Sequence, residues 1–311
     1  MVRRTMGWMV VGSVVAWMAP GCGSSSNDTS AGSGGSMSSA VGGQDGTGGD
    51  LFTSASGGSG TGSGSGPEIC DGIDNDGNGI IDDVDVGGDG VCDCLRIATL
   101  GVAGTWGNGD VFAMWLDDRS DAGAVSLNDA VITPALIADY QIIVAQDLSK
   151  MGRSYDASEV QALADWVHQG GGFMTLIGYA DSSELVNVNT LLDAFGMAYE
   201  ATPILPKNGA NTVPVTGWAT HPISNGVSLI GVDNGYPVTG SGVVVANEQG
   251  YDLLLAQEVG VGHVAMWGDE WITYDSEWND HPEYQLELFW LNMLKWLTPM
   301  EDCQVPIPPP Q

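Results

Sequence analysis

Gln141-Ile-Ile-Val-Ala-Gln146 and Gly172-Phe-Met-Thr-Leu-Ile-Gly178 are two short, continuous apolar runs. Runs of this length, too short for a buried helix, suit strands covered on both faces. Between them, Asp156–Gln169 places Leu163, Trp166 and Val167 at helical spacing, with Ser154 or Asp156 available to cap its start and Gly170-Gly171-Gly172 to stop it. A strand, a helix and a second strand in this order form a βαβ unit, which requires neighbouring parallel strands. The chain therefore reads as α/β.

Working outward, Arg96-Ile-Ala-Thr-Leu-Gly-Val102 is the expected first strand, followed by a helix near Asp110–Asp118. Another helix is expected over Ser183–Phe195. Strand-like, glycine-punctuated segments follow at Gly242–Ala246, Asp252–Glu258 and His263–Trp267. The final helix, from about Pro282 to Leu297, has Leu286, Phe289, Trp290, Met293, Leu294 and Leu297 on its apolar stripe. Residues 95–300 thus form one domain, long enough to bury a sizeable core.

Four phrases carry a family resemblance: Ala164-Asp-Trp-Val-His-Gln-Gly-Gly-Gly-Phe173, His221-Pro-Ile-Ser-Asn-Gly-Val227, Val261-Gly-His-Val-Ala-Met-Trp-Gly-Asp-Glu270 and Leu291-Asn-Met-Leu-Lys-Trp-Leu297. They resemble the class I glutamine amidotransferase-like superfamily, in particular its non-catalytic, trehalose-utilisation-like branches. The resemblance implies a flavodoxin-like three-layer α/β/α sandwich. Catalytic members carry a nucleophilic Cys on the turn after the strand that ends here at Gly178. This chain has Tyr179 there, then Ala180, and no Cys between Cys94 and Cys303. A phenol, with a pKa of about 10, is a poor substitute for a thiolate at neutral pH. Ser182 and Ser183 follow without a Gly-x-Ser-x-Gly elbow. Glutamine amidotransfer and Cys-dependent hydrolysis are therefore excluded.

In open parallel sheets, ligands meet the carboxyl ends of strands. Here those ends carry Asp147, Tyr179, Asp269 and Glu270. The last two lead into Trp271-Ile-Thr-Tyr-Asp-Ser-Glu-Trp-Asn-Asp-His281, which adds Trp271, Tyr274, Trp278 and His281 to the candidate cleft, with Asp275, Glu277 and Asp280 beside them. Aromatic faces beside carboxylates suit a sugar ring and its hydroxyls, and also a cation or a peptide. The competing reading packs Trp271 and Trp278 on their own domain and turns the acids to water. His221, before Pro222, suits a turn under the cleft or a ligand contact; His168 is expected to face solvent. A hydrolase using Asp269, Glu270 and His281, with or without a metal, is the alternative enzymatic reading.

Ahead of the domain, Asp74-Asn-Asp-Gly-Asn-Gly-Ile-Ile-Asp-Asp-Val-Asp85 places oxygen ligands at loop positions one, three, five, nine and twelve: Asp74, Asp76, Asn78, Asp82 and Asp85. Gly79 falls at the sharp turn, the Ile80 carbonyl at position seven, and Ile81 at the apolar position eight. This spacing suits calcium. From Glu68 to Asp93 nine carboxylates stand with no Lys or Arg, a self-repelling segment too small to fold alone and one that a divalent ion would steady. Asp85 rather than Glu at position twelve resembles dockerin and thrombospondin type-3 loops. Cys70-Asp-Gly-Ile-Asp-Asn-Asp-Gly-Asn-Gly79 resembles the MopE-type metal-binding motif, in which a Cys often stands at the place of Gly77. A structural calcium site with affinity on the order of 10⁻⁴ to 10⁻³ M is expected.

The first 21 residues read as a lipoprotein signal peptide: Arg3 and Arg4, an apolar stretch from Met6 to Ala19, then Ala19-Pro-Gly-Cys22, which resembles a lipobox with Cys22 as the acylated residue. Residues 22–66 are a Gly/Ser-rich tether, 67–94 the acidic motif and 301–311 a Pro-rich tail. This predicts a lipid-anchored protein of the cell envelope, on the outer membrane, with a carbohydrate or an envelope protein as partner. Without Arg3 and Arg4 the chain has six basic against 39 acidic residues, a formal charge of −33, which argues against nucleic acid. Four cysteines remain besides Cys22. Three pairings are open; the favoured one is Cys70–Cys92 around the calcium loop and Cys94–Cys303 joining the start of the domain to its end.

Overall fold

A computed structural model describes residues 66–70, 73–101, 108–148, 152–178, 182–205 and 212–298. The expected signal peptide and Cys22, the tether, Tyr179 and Cys303 lie outside the described residues.

The strands are β1 (Ile97–Gly101), β2 (Val125–Asn128), β3 (Ile142–Gln146), β4 (Gly172–Leu176), β5 (Met197–Tyr199), β6 (Val213–Val215), β7 (Gly217–Trp218), β8 (Ile230–Val232), β9 (Val238–Gly240), β10 (Val243–Glu248), β11 (Tyr251–Val259) and β12 (Gly262–Trp267). The helices are α1 (Asp110–Asp117), α2 (Pro134–Ile137), α3 (Ala157–His168), α4 (Ser182–Leu192), α5 (Asp275–Asp280) and α6 (Leu286–Leu297).

The βαβ unit forms as the apolar runs require. β3 and β4 pair in parallel, with Ile142 opposite Gly172. Asp156 caps α3 by accepting from the Ser158 and Glu159 amides, while Glu159 reaches back to the Asp156 amide, a reciprocal arrangement that satisfies amides with no partner inside the helix. Gly171, between α3 and β4, has no room for a side chain, since a Cβ there would stand 2.4 Å from the Trp166 ring.

Eight strands make one sheet in the order β2-β1-β3-β4-β12-β11-β10-β7. The pairs from β2 to β12 are parallel. β11 runs antiparallel to β12 and β10, and β10 to β7, so the expected parallel sheet ends in an antiparallel edge. Tight turns, with Gly250 and Gly260 in the left-handed region, are too short for a crossover and dictate antiparallel neighbours. The architecture is mixed α/β with a mostly parallel central sheet.

Along the inner strands, successive side chains enter two different clusters. Ile142 and Val144 of β3 and Ala265 and Trp267 of β12 pack with Phe112, Trp115, Phe289, Trp290 and Met293. Ile143, Ala145, Val264 and Met266 pack with Leu163, Trp166, Val167, Leu191 and Leu192. The two-residue alternation of a strand thus feeds one core on each face. All six residues of the expected apolar stripe on α6 are buried. The helix starts at Leu286 rather than near Pro282, because Gln285 Oε1 is committed to the amides of Ser228 and Leu229.

The cysteine pairing differs from the favoured one. Cys70 is bonded to Cys94, with Cα atoms 5.5 Å apart, and Cys92 is itself disulfide-bonded. Cys92 and Cys94 are both buried one residue apart, so sequence spacing does not distinguish which of them faces Cys70.

Candidate functional site

The carboxyl ends of the central strands deliver the acidic residues as expected. β12 ends at Trp267, and Asp269 and Glu270 follow it into the interior, each only 2% exposed. With Gly178, Asp233, Asn234, Trp271 and Tyr274 they line a pocket of about 310 Å³, within the range of small-molecule sites.

Asp269 is held from both sides. Its Oδ2 accepts the Asp233 amide at 2.8 Å and its Oδ1 the Trp271 amide at 3.1 Å. Burial nevertheless pushes its pKa well above the carboxylate range, against the lowering effect of these two bonds. Glu270 Oε1 accepts the Tyr274 hydroxyl. Glu270 Oε2 is buried with no hydrogen-bond partner. Burial pushes the Glu270 pKa up to about 7; the Tyr274 bond opposes the shift and the nearby charge of Asp147 adds to it. Glu270 therefore sits near half-protonation at neutral pH, able to accept a hydrogen bond as carboxylate or donate one as acid. Gly178 leaves room for it, since a Cβ at that position would lie 2.1 Å from Glu270 Oε1.

The other candidates scatter. Asp147, directly after β3, is buried in the left-handed region at φ 44°. It acts on Glu270 through its charge but does not line the pocket. Trp278 packs against Phe112 and Trp115, at ring centroid distances of 6.2 and 5.9 Å, and donates its Nε1 proton to the Ile272 carbonyl. The packed reading holds for Trp278, whereas Trp271 stays at the pocket. Glu277, expected among the water-facing acids, is fully buried. His281 leans on Glu283 at 3.0 Å and stacks on Tyr284. It does not join Asp269 and Glu270 in the pocket lining. The turn after Asp280 directs it to the Tyr284 side, so the alternative triad is not assembled. His221 accepts the Ile223 amide on Nδ1 and caps a short 3-10 turn, the turn role foreseen for it. His168 is exposed, as expected.

Sequence reasoning missed Asp233 and Asn234. Their signal was legible as turn chemistry: Asp233-Asn234-Gly235 follows β8, with Asn234 at φ 58°. Glu184, also missed, is buried and accepts the Gly178 amide at 3.2 Å.

In the acidic segment, Glu68, Asp74 and Asp76 each place a carboxylate oxygen within 4.8 Å of the others. Among the described residues this is the group with metal-ligand spacing. Asp74 accepts the Gly77 and Gly79 amides, Asp76 and Asn78 accept the Asn78 and Ile80 amides, and the chain is thereby folded over its own carboxylates. Of the expected carboxylate ligands, Asp74 and Asp76 join this group and Asp82 and Asp85 do not. Both Asp85 oxygens accept amides of the next turn, from Asp89 and Gly90, and Asp82 is buried outside the acidic group. Glu68, fourteen residues before Asp82, joins Asp74 and Asp76 and itself accepts the Asn75, Asp76 and Asp82 amides. Ile81 is 47% exposed and is not a plug.

No family model matches the chain, and no curated protein does. Solved structures do. A cytoplasmic protein of Salmonella typhimurium LT2 matches with 15% identity over 66% of this chain and 100% of its own, at a TM-score of 0.50. A second cytoplasmic protein of Salmonella typhimurium matches with 14% identity over 65% of this chain and 99% of its own, at 0.43. An exo-β-1,4-mannosidase of an Opitutaceae bacterium matches with 13% identity over 66% of this chain and 36% of its own, at 0.38. The first match supports the α/β fold. The envelope placement expected from the N-terminal residues is not carried forward, as the first match is a cytoplasmic protein. Among the described residues no helix is long and apolar enough to cross a membrane.

Proposed function

We propose that the domain is a small-molecule-binding module whose pocket takes a polyhydroxylated, sugar-like ligand. One observation carries this reading: Glu270 lines the pocket and keeps a buried oxygen without a partner. A buried acceptor left unmade costs about 1–3 kcal/mol, and a ligand hydroxyl would recover that. Asn234 adds an amide able to donate and accept, and Trp271 an apolar face for a ring. Titration of the full chain with a monosaccharide panel, followed by indole fluorescence, tests it. Binding that is lost in Trp271→Ala and Glu270→Ala supports the reading; no saturable binding up to 50 mM (about the weak limit for such a site) rejects it.

The same reading takes the sheet, with helical side chains in the core on each face, as the flavodoxin-like three-layer sandwich of the glutamine amidotransferase-like superfamily. In this chain the fold works without the reactive sulfur, as no Cys lies between Cys94 and Cys303. The acidic segment serves as a structural calcium site, with Glu68, Asp74 and Asp76 as its nearest carboxylate ligands.

A second reading is favoured by the Glu270 pKa of about 7. A carboxyl poised there is suited to general acid–base work, which makes a hydrolase of the same ligand class the enzymatic alternative. It would use Glu270 with Asp269, without His281. Release of product from an aryl glycoside, abolished in Glu270→Gln, separates catalysis from binding.

A further inference from the structure

β12 carries His263 near its start and Asp269 and Glu270 just past its end, which places another cavity about 20 Å from the pocket above, given roughly 3.3 Å per strand residue. This cavity, of about 700 Å³, is lined among others by His221, Glu258, His263, Asn292, Lys295 and Trp296.

Three observations give it a chemistry. First, Lys295 is the one described Lys or Arg without an ion pair. Arg96, Arg119 and Arg153 are paired with Asp121, with Asp89 and Glu287, and with Glu159 respectively. Its ammonium lies beside the Gly90 turn, where a Cβ would stand 3.0 Å from Nζ, and Lys295 also lines the cavity wall. Second, His221 is oriented as a donor. Its Nδ1 accepts the Ile223 amide at 3.2 Å, so the neutral ring carries its proton on Nε2. Burial lowers its pKa, with His263 adding to that shift and Glu258 opposing it. Third, the walls are built rather than incidental. The His221 and His263 rings pack on the buried Trp296 at 5.3 and 4.6 Å. The Asn292 amide pins the 220–225 loop by donating to the Ile223 and Asn225 carbonyls at 3.1 and 2.8 Å.

Lys295 and the His221 donor suit an anion, while Glu258 on the same wall repels a bare one and attracts an ammonium. We infer that this cavity is a second binding site, for a small zwitterion of the α-amino-acid type, whose carboxylate meets Lys295 and His221 and whose ammonium meets Glu258. It is independent of the sugar-like pocket.

The test is calorimetric titration of the full chain with a panel of L-α-amino acids, with acetate and methylamine as half-ligands. At least one amino acid is expected to bind at least tenfold more tightly than acetate. Lys295→Met, an exposed position whose loss leaves the fold intact, should weaken that binding at least tenfold, and Glu258→Gln should weaken it while leaving acetate unchanged or stronger. Binding of acetate as tight as that of every amino acid would reduce the cavity to an anion site and overturn the assignment. So would amino-acid binding unchanged in Lys295→Met, or no amino-acid binding at all. A sugar titration on Lys295→Met that matches the parent chain shows that the other pocket is intact, so failure here and failure there are distinguishable.

Discussion

Tyr274 gives its hydroxyl proton to Glu270 Oε1, and the other oxygen of the same carboxyl group is left buried without a partner. One half of the group is thereby fixed in position, and the other half is left unsatisfied in a residue that lines the pocket.

Stability should record this. The Glu270 pKa rises from 4.5 in the free side chain to about 7 in the fold. Between those values the unfolded chain releases a proton that the native chain retains. Native stability therefore falls as pH climbs from about 4.5 to 7 and is level beyond, with a total loss on the order of 3 kcal/mol from this group. Asp269 is shifted in the same direction and adds to the slope. Glu270→Gln keeps an acceptor for Tyr274 and removes the titration. Its melting temperature should be higher than that of the parent at pH 8 and close to it at pH 4, as followed by circular dichroism.

Tyr274→Phe removes the donor while preserving the ring. Both Glu270 oxygens then lack a partner, which should destabilise the fold by about 1–3 kcal/mol. Because the bond holds the Glu270 pKa down, its loss should move the midpoint of the pH–stability curve upward. An unchanged midpoint in urea melts across pH 5–9 would contradict the role given to this hydroxyl.

Two tryptophans of one loop should respond oppositely. Trp278 lies among Phe112, Trp115 and Ile272, and truncating it to Ala should cost about 3 kcal/mol with ligand affinity preserved wherever the chain remains folded. Trp271 lines the pocket. Trp271→Ala should lower sugar affinity at least tenfold with a smaller change in urea midpoint.

The proposed calcium site yields a prediction that separates loop spacing from geometry. At 10 mM calcium a site of 10⁻⁴ to 10⁻³ M affinity raises stability by about 1–3 kcal/mol, so chelation should lower the melting temperature. Glu68→Gln, outside the twelve-residue loop, should weaken calcium by about tenfold, because Glu68 converges with Asp74 and Asp76. Asp85→Asn, at loop position twelve, should weaken calcium less, since Asp85 lies outside that carboxylate group. The opposite ranking by calorimetry would restore Asp85 as a ligand.

The legible parts of the molecule are those where one local rule is sufficient. The apolar runs of β3 and β4, the α3 capping residue Asp156 and the α6 stripe follow from periodicity and capping alone. Asp269 and Glu270 were found because strand ends face ligands in such sheets. What depends on distant pairing was hidden. The partner of Cys70 rests on which of two buried sulfurs faces it. Glu68 reaches Asp74 and Asp76 because a segment six residues before the loop folds back over it. Trp278 and Trp271 look equivalent in sequence, and only the approach of α1, which brings Phe112 and Trp115, tells them apart.

Gly178 offers the most direct test of the pocket, because it changes no polar group. Its amide donates to Glu184 at 3.2 Å, which Ala preserves. A Cβ there would stand 2.1 Å from Glu270 Oε1 and 2.6 Å from its Cγ, well inside van der Waals contact. Backbone relaxation is limited by β4, whose parallel pairing to β3 and β12 ends just before this residue. The Glu270 side chain must therefore move, breaking the Tyr274 bond and filling part of the pocket. Gly178→Ala should accordingly lose ligand binding as fully as Glu270→Ala, shift the pH–stability midpoint as Tyr274→Phe does, and leave the far-ultraviolet spectrum intact. Normal binding in Gly178→Ala would mean that Glu270 is not held where the pocket needs it, and the functional reading built on its free oxygen would fall.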